Sequence, residues 1–97
     1  MDEFDPIIHQ PVRLQIMAAL CNLSPREQVD FSFLKTKLGL TEGNLGAHLG
    51  TLEESKYIAV EKTFVLRRPK TFLAVTAAGR KAFISHAAAL RALLRSG

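Results

Sequence analysis

The stretch DFSFLKTKLGLTEGNLGAHLGTLEE, Asp30 to Glu54, places two short helical patterns either side of Gly39-Leu40, and that spacing constrains the fold more than any other feature. Asp30 can accept from the first unpaired N–H groups of a helix, so a helix is predicted over residues 31–38 with Leu34 and Leu38 facing inward. Gly39 suits the left-handed position that stops a helix. Thr41 is a good cap for the next one, predicted over residues 42–55. Leu45, Leu49 and Leu52 give it one buried stripe at i, i+4 and i+7. Two short helices joined by a tight glycine turn are the signature of a helix-turn-helix.

The flanks complete a mainly α chain with a small β-hairpin, an α+β fold. Pro11 fits the first turn of a helix predicted over residues 11–23, because its missing N–H needs no partner there. Val12, Ile16, Ala19, Leu20 and Leu23 form one apolar stripe, and Leu14, Met17 and Cys21 a second. Alternation at Ile58 and Val60, and at Leu73 and Val75, predicts strands over residues 57–64 and 71–75 around the basic turn Val65–Lys70. Thr76 can cap a last helix over residues 77–95, along which Phe83, Ala87, Leu90 and Leu94 make a heptad-like stripe. One domain this small has little core left for such a stripe. It is expected to form a dimer seam with Ile7, Leu14 and Met17; folding back on the chain's own core is the alternative.

A length of 97 residues implies a single domain, residues 1–97. No apolar run approaches the roughly 18 residues that span a bilayer. The N-terminal MDEFDP is acidic rather than signal-like, so a cytoplasmic location is expected. Cys21 is the single cysteine and lies in an apolar pattern, which excludes an internal disulfide and a thiolate metal cluster. Charge is distributed unevenly. Residues 1–61 carry five basic and nine acidic side chains, a balance of −4, whereas residues 62–97 carry eight basic and no acidic ones, a balance of +8. A one-signed stretch suits a polyanionic partner or a solvated basic surface.

Taken with their order, HQPVRLQIMAAL, DFSFLKTKLGLTEGNLGAHLGTLEE, YIAVEKTF, RRPKTF and TAAGRKA resemble the small winged helix-turn-helix DNA-binding regulators related to the MarR and ArsR families. The resemblance covers Pro6 to Leu93. It implies a homodimeric transcriptional regulator that binds double-stranded DNA. The third helix would lie in the major groove and the wing, Val65–Lys70, on the adjacent backbone or minor groove. The chain departs from the family pattern at Gly46, Gly50 and Thr51, at Val65 and Leu66 of the tip, and at Ala77 and Ala78. The paired thiols of an ArsR metal box are absent from DFSFLK.

On a helical wheel the outward face of the third helix is Gly43, Ala47, Gly50 and Glu54, with Asn44, Gly46, His48 and Thr51 on its flanks. Reading bases needs groups that reach their edges, and only Asn44, Thr51 and His48 qualify. The candidate DNA-binding set is therefore Thr41, Asn44, Ala47, His48 and Thr51 on this helix, Lys35 and Lys37 on the preceding one, and Arg67, Arg68 and Lys70 on the wing beside Pro69. Phosphate contacts of this kind tolerate sequence variation and weaken with salt. His9, His48 and His86 match no metal spacing, the serines lack a base and an orienting partner, and no phosphate-binding glycine loop is present. No enzyme activity, metal, cofactor or membrane association is expected, and no effector can be named. The rival reading is a protein-interaction module on the same fold, in which Gly46 and Gly50 permit close helix packing.

Overall fold

A computed structural model describes residues 4–25 and 27–96. Met1–Glu3 of the acidic N-terminal sequence, Arg26 and Gly97 lie outside the described residues. The element order is α1 (Pro11–Cys21), β1 (Val29–Asp30), α2 (Phe31–Leu38), α3 (Glu42–Glu54), β2 (Ile58–Val65), β3 (Arg68–Val75) and α4 (Ala77–Ser96).

Helix α1 starts where the Gln10 side chain accepts the N–H of Arg13 at 2.8 Å. It ends at Cys21, two residues before the predicted boundary. Arg80 of α4 donates to the carbonyls of Cys21 and Leu23 at 2.9 and 3.1 Å. The guanidinium thereby satisfies carbonyls at the negative end of the helix dipole. Ile16, Met17 and Leu20 are buried, and Val12, Leu14, Ala19 and Cys21 pack around them. Both apolar sides of α1 are thus used within one chain. Met17, expected at a dimer seam, has no exposed surface and belongs to the core instead.

The helix-turn-helix forms as its caps dictate. Asp30 accepts from Ser32 N at 2.6 Å, Gly39 adopts φ 65°, and the Thr41 hydroxyl accepts from Asn44 N at 3.1 Å. Leu34 of α2 and Leu45, Leu49 and Leu52 of α3 enter the core with Ile8, Ile58 and Leu73. At the end of α3, Lys56 takes φ 64°, with Lys56 N donating to Glu53 O at 2.9 Å and Tyr57 N to Leu52 O at 3.0 Å. This double closure usually employs glycine at the left-handed position.

The sheet has three antiparallel strands in the order β1-β3-β2, rather than a hairpin alone. Val29 and Asp30 pair with Leu73 and Phe72, which fastens the start of α2 to the wing. Strand β2 keeps its expected length but is shifted by one residue, β3 begins three residues earlier than expected, and the turn between Val65 and Arg68 contains only Leu66 and Arg67. Both have positive φ, 51° and 66°, as the right-handed twist of a two-residue hairpin demands. Pro69 is tolerated in central strand β3 because its nitrogen faces away from β2, beyond the short reach of β1.

Helix α4 docks through Thr76. Its N–H reaches Tyr57 O at 3.0 Å, its hydroxyl donates to Lys56 O at 2.7 Å, and that hydroxyl accepts from Gly79 N at 2.9 Å. The inward stripe of α4 is Gly79, His86 and Ala89, all buried. This buried stripe places His86 and Ala89 one position before the predicted Ala87 and Leu90, and Gly79 four positions before Phe83. The small and polar inward residues concealed it from a reading based on large apolar ones.

Candidate nucleic-acid interface

Helix α3 and the sheet face each other across an open groove of about 420 Å³. Its α3 wall comprises Glu42, Gly46, Leu49, Gly50 and Glu53; its sheet wall comprises Val60, Lys62, Thr71 and Leu73, and Phe31 of α2 completes the lining. The pairings Val60–Leu73, Lys62–Thr71 and Phe64–Pro69 follow one another along the same sheet face. Lys62 and Phe64 therefore carry the groove wall outward toward the wing tip.

Side chains on α3 divide by partner. Asn44 and Ala47 are exposed, whereas His48 and Thr51 are half-buried. The Thr41 hydroxyl is occupied in capping, and Thr51 Oγ1 donates back to Ala47 O at 3.4 Å. His48 Nδ1 lies 3.1 Å from an Arg13 guanidinium nitrogen, whose Nε–H donates to Ile7 O at 2.5 Å. Arg13 must donate, so Nδ1 accepts and the His48 proton resides on Nε2. His48 is thereby tied to α1, a link between residues 13 and 48 that local patterning does not reveal. Gly43, Gly46 and Gly50 are exposed, and a Cβ added at any of them meets nothing within 4 Å.

The basic candidates occupy two places. Lys35 and Lys37 lie in the last turn of α2, where cations also favour the helix dipole. Arg67 and Arg68 are exposed at the wing turn. Lys70 is drawn away from the tip, since its ammonium pairs with Asp30 Oδ2 at 3.0 Å. Lys70 and the Ser32 N–H together hold the Asp30 carboxyl below the usual carboxylate range. One carboxylate thus caps α2 and anchors β3.

Two features were not among the sequence candidates. Lys62 lines the groove, and its strand alternation with Ile58 and Val60 is a signal that could have found it. Leu66, at the wing tip, is 93% exposed, and Phe64 is 73% exposed. Of the dimer candidates, Ile7, Leu14 and Phe83 pack against the core, Ala87 and Leu90 are half-buried, and Leu94 is exposed together with Ile84 and Leu93. Among the described residues, no group of three or more His, Cys, Asp or Glu side chains could hold a metal ion. No helix among them is long and apolar enough to cross a membrane.

The chain is similar to several known proteins. Protein MJ0432 of Methanocaldococcus jannaschii is 42% identical over 77 residues, which span 79% of this chain and 80% of that one. A transcriptional regulator homologue of Pyrococcus horikoshii superimposes with a TM-score of 0.83 at 32% identity, over 93% of this chain and 86% of the other. A PadR family transcriptional regulator from Eggerthella lenta shares the fold, with a TM-score of 0.70 at 19% identity over 93% and 83% of the two chains. The family model of the winged helix DNA-binding domain matches residues 12–94. With its helix-turn-helix and three-stranded wing sheet, this chain belongs to the winged helix DNA-binding domain family.

Proposed function

We propose that the protein is a homodimeric transcriptional regulator, of the broad group related to the MarR and ArsR regulators, that binds duplex DNA with modest sequence specificity. Helix α3 enters the major groove, and the wing contacts the adjacent backbone or minor groove. The carrying observation is a contrast within the interface: α3 presents three open glycines, while the wing presents exposed Arg67 and Arg68. Affinity on this reading comes largely from phosphate neutralisation by the wing, and Asn44 is the principal α3 side chain able to reach a base edge. The chain acts in the cytoplasm without a metal or cofactor.

Dimerisation uses the exposed apolar residues of α4. This helix has 20 residues and hence a length of roughly 30 Å; Ile84, Leu93 and Leu94 on it are 60%, 54% and 79% exposed. A second copy would cover them. In sedimentation, a Leu93→Lys, Leu94→Lys variant should run as a monomer where the parent runs as a dimer. Dimeric behaviour of the variant would exclude this seam.

The DNA-binding test is a salt titration of duplex affinity. Removing two phosphate contacts with Arg67→Ala and Arg68→Ala should reduce the slope of log K against log salt by about 0.9 per contact. An unchanged slope removes the wing from the interface. The open groove beside Gly46 and Gly50 favours a second reading, a docking module for another protein. That reading prevails if no duplex is bound at near-physiological salt.

A further inference from the structure

We infer that Leu66 is an apolar wedge that the wing drives into the minor groove of duplex DNA, so that the protein selects its sites by how readily they kink. This rests on the DNA-binding reading above and adds to it the residue that acts on DNA shape.

Four observations converge on the wing tip. Leu66 is 93% exposed, more than any other large apolar side chain among the described residues. It occupies a turn whose two residues both adopt positive φ. Such turns favour asparagine and glycine, and here the pair is leucine and arginine. Left-handed backbone costs an L residue free energy, and strain of this kind persists where the surroundings enforce it. The turn therefore spends stability to hold an apolar side chain in water, where it contributes nothing to the chain's own core.

The third observation is charge. Arg67 and Arg68 follow Leu66 directly, and no acidic residue occurs anywhere from residue 62 to residue 97. An apolar point followed by two guanidinium groups matches the minor groove: arginines are drawn to its negative potential, and apolar side chains part adjacent base steps there. The fourth is continuity. Phe64 lies on the sheet face that carries Lys62 and forms one wall of the groove facing α3. The tip thus extends the helix-turn-helix surface rather than forming a separate patch.

The consequence is a specificity mechanism suited to a bare α3. Pyrimidine–purine steps unstack easily and stiff A-tracts do not. A protein reading through Leu66 prefers duplexes with a TA step under the wing, even with few base-edge contacts.

The test uses the full chain and end-labelled mixed-sequence duplexes of about 30 bp, with and without central TA steps. Binding is read by anisotropy and bending by energy transfer between the duplex ends. At saturation the parent protein should bring the ends closer, and Leu66→Met, which keeps an apolar point, should do the same. Leu66→Asn, which accommodates positive φ, should stay folded and bind within about tenfold of the parent. It should leave the duplex straight and lose the preference for TA steps. Equal bending by Leu66→Asn and the parent overturns the inference, as does a straight duplex in the saturated parent complex. Tighter parent binding to phosphatidylserine vesicles than to duplex, lost in Leu66→Asn, overturns it in favour of an anionic lipid surface. Absence of duplex binding, seen directly in the anisotropy, overturns the DNA-binding reading itself and the wedge with it.

Discussion

His9 Nδ1 and His86 Nε2 lie 3.4 Å apart, and the His86 ring is completely buried. Asp5 N donates to His86 Nδ1 at 3.1 Å, so the single proton of His86 sits on Nε2 and points at His9. Phe4 stacks on the His9 ring with centroids 4.7 Å apart. The pair fastens the N-terminal segment to α4.

That arrangement predicts acid sensitivity. Burial, reinforced by neighbouring His9 and opposed by Asp5, holds the His86 imidazole below its ordinary value of 6.5. Below that value the unfolded chain takes up a proton that the folded chain resists, so stability declines as pH falls. Urea midpoints should drop from about pH 7 to about pH 5, with a shallower slope for His86→Gln. Superimposable slopes would show that another group controls the acid limb.

At the alkaline end, Tyr57 donates its hydroxyl proton to Asp5 Oδ2, 2.5 Å away. This bond and burial push the phenol up to about 12 from an ordinary 10.0. Because the raised group favours its neutral form, its stabilising effect is complete below pH 10.0 and is lost as pH rises toward 12. Tyr57 is the sole tyrosine, so phenolate absorbance reports it directly. The titration midpoint should fall toward 10.0 in Asp5→Ala; a midpoint that stays put would remove Asp5 as the cause.

Gly79 is a contact requirement. A Cβ there would sit 2.0 Å from Tyr57 O, a backbone atom that already accepts Thr76 N. Gly79→Ala should cost about 2–3 kcal/mol by overpacking despite alanine's higher helix propensity. Chemical denaturation checks this, and a neutral result would mean that α4 can slide off Tyr57 freely.

Gly46 and Gly50 should behave in the opposite way. An added Cβ meets nothing within 4 Å, so each alanine should stabilise the free protein by about 0.5–1 kcal/mol. Thermal melts without DNA provide the measurement. Destabilisation by either substitution would reveal an intrachain role for the glycine.

What was legible in the sequence was what local chemistry controls. Asp30, Gly39 and Thr41 set the caps they were expected to set, and the Leu45, Leu49, Leu52 stripe points inward. Strand β1 was not legible, because two residues pairing with Leu73 and Phe72 leave no periodic trace. The two-residue turn was hidden because Leu66-Arg67 lacks the usual asparagine and glycine. Met17 was misplaced because a helix with two apolar sides can satisfy both within one chain. Within the candidate interface, residue type pointed to Arg67 and Arg68, which are exposed, but not to the intrachain partners of His48 and Lys70. Those partners, Arg13 and Asp30, are brought close only by the tertiary fold.

The empty space above Gly43, Gly46 and Gly50 separates two demands that most helices must reconcile. Within α3 the buried residues are Leu45, Leu49 and Leu52, so the three glycine positions outside that stripe accept new side chains without disturbing the scaffold. On the DNA-binding mode proposed above, such a helix is a blank for operator choice. Single substitutions at the three glycines would then add candidate base-reading groups one at a time, each starting from a chain that already folds.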